Sequence, residues 1–141
     1  METGNKENKN GGTKGQVLLV DDDKFLIDMY AMKFTTGGYT VEAHLSAGDA
    51  LTALRGGFVP DAIVFDLIMP EHDGFSFLQT LSAEHLGGEA VRIALTNESD
   101  DNAQKKASEL GADRLVVKAN TIPSEVVAIV GEEITKKQRK Q

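Results

Sequence analysis

Along the chain, short apolar runs alternate with longer stretches in which apolar residues recur every three or four positions. The short runs are VLLV (17–20), YTVEAH (39–44), AIVF (62–65), VRIAL (91–95) and RLVV (114–117), and their length and β-branched content predict five strands. Helical spacing marks the stretches between them: Phe25, Met29, Met32 and Phe34; Ala50, Leu51 and Leu54; Phe75, Phe77, Leu78 and Leu81; Ala103, Ala107 and Leu110; Val126, Val127, Val130 and Ile134. These methionines and phenylalanines are expected in the core. Gly37-Gly38, Gly56-Gly57, Gly87-Gly88 and Gly111 follow the first four helical runs, where a residue able to adopt positive φ ends a helix. Ser46 and Ser124 precede helical runs as candidate N-caps.

Strict β-α alternation implies a parallel sheet with right-handed crossovers and helices on both faces. VLLV and AIVF are apolar at every position, as central strands buried on both faces must be. The expected fold class is α/β, a flavodoxin-like doubly wound (βα)5 arrangement with strand order 2-1-3-4-5. In that order strands 1 and 3 flank the switch point, and ligands bind outside the carboxyl ends of the strands.

Length and charge narrow the picture further. The 141 residues suit one domain, with a polar, disordered N-terminal arm over 1–15, a folded unit over 16–134 and a polar, basic tail over 135–141. Acidic residues outnumber basic ones 22 to 15, giving a net charge of −7, which argues against direct nucleic-acid binding. There is no cysteine, no apolar signal-peptide core and no apolar run long enough for membrane insertion, so a soluble, cytoplasmic protein is expected.

The first strand runs straight into Asp21, Asp22 and Asp23, and the third into Asp66. The predicted topology therefore gathers Asp21, Asp22 and Asp66 at the ligand crevice. The first β-α junction, DDDKF, contains no glycine to cradle a phosphate, and its negative charge would repel one. Clustered carboxylates call for a cation, and all-oxygen ligation favours a hard one such as Mg²⁺. Two carboxylates suffice for that ion, leaving Asp66 free as a covalent phosphoryl acceptor. Thr96 and Lys118, at the ends of the fourth and fifth strands, supply a hydroxyl and an ammonium able to hold phosphoryl oxygens. Asp23 is expected to serve only the dipole of the first helix.

On VLLVDDD, VFDLIMPEHDG, IALTN and GADRLVVKA, in this order from residue 17 to about 131, the chain resembles the receiver domains of two-component response regulators, chemotaxis receivers included. The resemblance implies that Asp21 and Asp22 hold the metal, that Asp66 is phosphorylated and also ligates it, and that the backbone carbonyl of Ile68 completes the protein ligands. It makes Thr96 the hydroxyl that turns toward the phosphoryl group and Lys118 the lysine that contacts it. It implies a histidine kinase or phosphotransfer protein as donor and a downstream effector as target. It also implies a homodimer through the face built from the fourth helix, fifth strand and fifth helix, although no decisive apolar patch is legible there. Little length remains after the fifth helix for an output domain, which predicts a stand-alone receiver or a piece of a longer protein.

Three positions depart from the family pattern. Ala119 replaces the proline that usually follows the lysine and sets a cis bond, so either that peptide is trans or strain is held there. Leu115 stands where an aromatic commonly reports activation, and Asn97 where a small residue follows the threonine, narrowing the mouth and slowing phosphoryl access. Ile68 and Glu98 flank the site at positions that tune dephosphorylation in the family. These departures keep open a second reading, a receiver-like interaction module that signals without phosphorylation. A haloacid-type aspartyl-phosphate hydrolase would want a second acid two residues after the nucleophile, and the chain has Ile68. His44, His72 and His85 share no ligand spacing and are expected at the surface, and the basic KKQRK extends the last helix.

Overall fold

The runs that are apolar at every position become the centre of a five-stranded parallel sheet in the computed structural model, which describes residues 13–70, 73–97 and 100–139. Residues 1–12 of the expected arm, the last two residues of the tail, His72 and Glu98 lie outside the described residues, while residues 13–15, expected as disordered, are tied to the fold by Lys14 N donating to Gly38 O at 2.8 Å and Thr40 N to Gly15 O at 2.9 Å. In chain order the elements are β1 (Gln16–Val20), α1 (Lys24–Thr36), β2 (Thr40–His44), α2 (Ala47–Arg55), β3 (Ala62–Asp66), α3 (Gly74–Ala83), β4 (Val91–Thr96), α4 (Asp101–Glu109), β5 (Arg114–Val117) and α5 (Pro123–Arg139), with a 3-10 turn over Lys118–Asn120 before α5. The strand order is β2-β1-β3-β4-β5, the 2-1-3-4-5 arrangement of the flavodoxin-like fold. Val17 pairs with both Val41 and Ala62, Ala62 with Val91, and Ile93 with Arg114.

Alternation along each strand divides the core between the two faces. Val17 and Leu19 of β1, Val64 of β3 and Val116 of β5 pack with α1 and α5, through residues such as Phe34 and Val130. Leu18 and Val20, Ile63 and Phe65, and Ala94 pack with α2, α3 and α4, where Leu51, Leu78 and Ala107 meet them. Because β1 and β3 are buried on both sides, any slip in their register would carry charge into the core.

Helix ends explain several boundaries. Ser46 caps α2, accepting a hydrogen bond from Asp49 N at 3.1 Å. Ser124 does not cap α5: the helix starts at Pro123, and the Glu125 carboxylate reaches back to accept from Ile122 N at 2.9 Å. Proline suits the first helical position, and the acid closes half of a capping box. Residues 135–139, expected as tail, are the last turn of α5, which Lys136 helps by pairing with Glu133. After α3 the left-handed conformation falls first on His85 (φ 54°), ahead of the expected Gly87-Gly88. His44 is half-buried rather than at the surface, with its Nε2 enclosed and 3.5 Å from a Glu42 carboxylate oxygen. Among the described residues no helix is long and apolar enough to cross a membrane.

The face of α1 differs from the expectation. The helix buries Ile27, Tyr30 and Phe34, while Phe25 and Met32 are 77% and 67% exposed. Phe34 is buried as expected, but Ile27 and Tyr30 take the places expected of Phe25 and Met32, and the ring of Phe34 meets Tyr39 edge-on at 5.7 Å. Phe34→Ala should therefore lower unfolding free energy by about 3–5 kcal/mol in urea titrations, and Met32→Ala should change it by less than about 0.5 kcal/mol. Equal losses would mean that the other stripe faces the sheet.

Candidate functional site

The carboxyl ends of β1 and β3 bring Asp21, Asp22 and Asp66 together, with one carboxylate oxygen from each lying within 4.8 Å of the others. Asp21 and Asp66 are buried and Asp22 is exposed. Two buried carboxylates side by side repel each other and lose hydration, so the fold must supply positive partners. Lys118, from the end of β5, does so: its Nζ donates to Asp66 Oδ2 at 2.9 Å and to Asp21 Oδ2 at 3.1 Å. The remaining oxygens are met by backbone N–H groups two residues on, Asp23 N to Asp21 Oδ1 at 2.9 Å and Ile68 N to Asp66 Oδ1 at 3.1 Å. Asp22 makes no hydrogen bond or ion pair among the described residues, which leaves it the readiest of the three to meet an incoming cation.

Burial alone would lower the Lys118 pKa. The hydrogen bond and charge of Asp66, followed by the charge and hydrogen bond of Asp21, outweigh it and hold the ammonium above its ordinary 10.5. Lys118 is therefore charged at neutral pH and acts as an internal counter-ion. An all-oxygen donor set, acidic and partly open through Asp22, fits a hard divalent cation.

Strand alternation sorts the chemistry onto two sides. Asp21, Asp66 and Lys118 each follow by two positions a residue packed on the α1–α5 side, namely Leu19, Val64 and Val116. Thr96 follows Ala94 of the opposite cluster and is buried beside a groove between α3 and α4 that Ile68, Phe75, Asn97 and Ala103 also line. Lys106 of α4 stands 4.5 Å above the Phe75 ring and ties the two walls of that groove together.

The departures from the family pattern are visible here. The Lys118–Ala119 peptide is trans, and the chain turns through Lys118–Asn120 with Thr121 N donating to Lys118 O at 3.3 Å. Leu115 is half-buried against the α2–α4 side, Asn97 is exposed, and the Ile68 side chain projects into solvent.

Several contributors were not singled out in the sequence, and Asp23, read there only for the helix dipole, does more. Asp23, Asp73 and Asp100 are the N-caps of α1, α3 and α4, so the acids around the site also hold the helices that frame it. Gly74 opens α3 directly against the loop that follows Asp66, donating its N–H to Leu67 O at 2.8 Å. A Cβ there would lie 2.7 Å from Leu67 Cα and 2.8 Å from Asp66 O. The local signal was a glycine right after a capping aspartate, which sequence alone cannot separate from an ordinary turn.

The family model for the response regulator receiver domain matches residues 17–130. The chain belongs to the response regulator receiver domain family. The receiver domain is 28% identical over 124 residues to the regulatory protein VanRc of Enterococcus gallinarum, a match covering 88% of this chain and 52% of VanRc. It thus spans about half the length of that relative. Its fold is shared with a CheY-like receiver domain protein from Methanospirillum hungatei JF-1, at a TM-score of 0.80 and 21% identity over 89% of this chain and 98% of the other. A BeF3-activated DrrB receiver domain aligns with a TM-score of 0.73 and 26% identity, covering 86% and 97% of the two chains.

Gly74→Ala should destabilise the receiver domain by about 1–3 kcal/mol, because backbone rather than a flexible side-chain tip blocks the added methyl. Gly48→Ala in α2, where the nearest atom is Ser46 Oγ at 3.9 Å, should be neutral or stabilising by up to about 1 kcal/mol. Denaturant unfolding of the two variants beside wild type checks both signs.

Proposed function

We propose that this receiver domain, over residues 16–134, accepts a phosphoryl group on Asp66 from a histidine kinase or phosphotransfer protein and passes the change to an effector protein. The observation that carries this reading is the Lys118 ammonium bridging Asp21 and Asp66 inside an all-oxygen acidic cluster at the sheet's switch point. Asp21, Asp22, Asp66 and the Ile68 carbonyl would hold Mg²⁺, which when bound supplies positive charge to the phosphoryl oxygens.

In the transfer, an Asp66 carboxylate oxygen forms a bond to phosphorus as the P–N bond of a phosphohistidine breaks, and the electron pair goes to the departing imidazole nitrogen. Both Asp66 oxygens are engaged, Oδ1 by Ile68 N and Oδ2 by Lys118. Lys118 must therefore loosen from the carboxylate and follow the charge onto the phosphoryl oxygens. Thr96, on the groove side, turns its hydroxyl to the same oxygens. The new charge then biases the surface formed by α4, β5 and α5, which this reading gives to the effector or to a second copy.

The donor's footprint is suggested by the rim. Phe25, Leu45, Ile68 and Ile122 come from four loops or helix starts at the carboxyl end of the sheet, and all are exposed. An apolar ring around a charged centre suits a protein donor, which can cover the ring while presenting its imidazole.

Incubation with Mg²⁺ and acetyl phosphate should add about one phosphoryl group by intact mass, and the gain should vanish in Asp66→Ala or with a chelator. No gain from a folded protein would favour the phosphorylation-independent interaction module instead. Phe25→Asp should slow transfer from a cognate kinase by about tenfold or more while leaving acetyl phosphate transfer unchanged. An equal loss with both donors would remove the docking role of Phe25.

A further inference from the structure

Arg92 is the only charged residue of β4, and the other five positions of that strand are buried. It stands four residues before Thr96, about 13 Å away along the strand, toward the amino end of the sheet. Ala94, two positions on, packs with α2, α3 and α4, so the Arg92 side chain leaves the sheet on that side. There its Nη1 donates to Ser82 Oγ of α3 at 3.1 Å. Gly111, just after α4, leaves the guanidinium its room, since a Cβ there would lie 3.0 Å from Nη1.

A half-buried guanidinium calls for a negative partner, yet Arg92 makes no ion pair among the described residues. Asp113 is engaged otherwise: its Oδ2 accepts from the backbone N of Arg92 at 2.8 Å and faces Lys137 Nζ at 3.9 Å. Burial holds the Arg92 pKa below its ordinary value, and the charge of Asp113 opposes that without overcoming it. Of the five N–H donors in the fork, those not aimed at Ser82 have no acceptor among the described residues. They border a cleft of about 430 Å³, lined also by Ser82, His85, Leu86, Gly88 and Glu89.

We propose that this cleft binds a small oxyanion, through a carboxylate or phosphate head group held by the Arg92 fork and the Ser82 hydroxyl. A planar guanidinium presents paired donors that match two oxygens of such a group. Ser82 Oγ accepts from Arg92 and keeps its own O–H to donate to the ligand. Glu89 is the one acid on the cleft wall, and its like charge limits the affinity. The site lies away from the acidic cluster and needs neither a metal nor a phosphorylated Asp66.

Titration of the full chain with phenyl phosphate and with benzoate, followed by ¹H–¹⁵N NMR at constant ionic strength without Mg²⁺, tests this. At least one anion should give saturable shifts at Ser82, His85, Gly88 and the Arg92 Nε–H that matched sodium chloride does not produce, and the tighter of the two names the head group. Arg92→Gln should weaken binding about tenfold or more, the worth of a charge-assisted hydrogen bond. Ser82→Ala should weaken it about three- to tenfold, and Glu89→Gln should tighten it about two- to fivefold. Ser82 and Glu89 are exposed, so these two variants decide the matter even where Arg92→Gln fails to fold. Shifts that never saturate, or that sodium chloride reproduces, overturn the proposal. So does an affinity that none of the substitutions moves. Arg92 would then serve only as positive charge for the carboxyl end of α3, whose last turn holds no basic residue.

Discussion

Two buried carboxylates from neighbouring parallel strands, bridged by one ammonium from the sheet's edge, form the interaction on which the rest of the site depends. Asp21 and Asp66 are adjacent because β1 and β3 pair in register, and that pairing is fixed by runs apolar on both faces. Their repulsion is a direct consequence of the strand order. Lys118 offsets it from across β4, and backbone N–H groups of Asp23 and Ile68 take the oxygens it does not reach. Three carboxylates against one ammonium leave the cluster with excess negative charge, and Asp22 exposes part of it. A fold that leaves this excess exposed at its switch point is poised to take up a cation.

The same acids serve the scaffold. Asp23, Asp73 and Asp100 cap the three helices that begin nearest the crevice, so carboxylates in the crevice loops both repel bare anions and orient the helix N-termini. Gly74 completes the arrangement by letting α3 start against the backbone of Asp66 and Leu67. The loop after Asp66 is thus held by a close backbone approach at Gly74 and by the Ile68 N–H on the Asp66 carboxylate. Side chains of ordinary size would push that loop, and with it the carboxylate, out of reach of Lys118.

Most of this architecture was legible in the sequence, for reasons that differ by element. Central strands announce themselves because burial on both faces leaves no polar position, and their ends placed Asp21, Asp66, Thr96 and Lys118 within a residue of where the elements stop. The face of α1 was legible only at Phe34, since Phe25, Met29 and Met32 make as regular a stripe as Ile27, Tyr30 and Phe34. Only the sheet decides between them. The start of α5 was misplaced because a serine is a good cap in isolation, whereas Glu125 and Pro123 act together. The role of Gly74 depends on what lies across the fold from it, which no local pattern records.

Two sides of the sheet meet at the acidic cluster, and they are not held equally. On the α1–α5 side Lys118 sits over helices that bury Ile27, Tyr30 and Phe34, and Val126, Val130 and Ile134. On the other side Thr96 borders a groove whose outer wall, α4, buries Ala107 alone and is braced by Lys106 over Phe75. A displacement shared by Lys118 and Thr96 meets well-packed helices in one direction and a lightly anchored one in the other. Leu115, half-buried beside α4, lacks the aromatic bulk to wedge that helix apart, and the trans peptide at Ala119 leaves the Lys118 loop in a regular 3-10 turn. Of the helices that frame the site, α4 is therefore the one held by the fewest buried side chains.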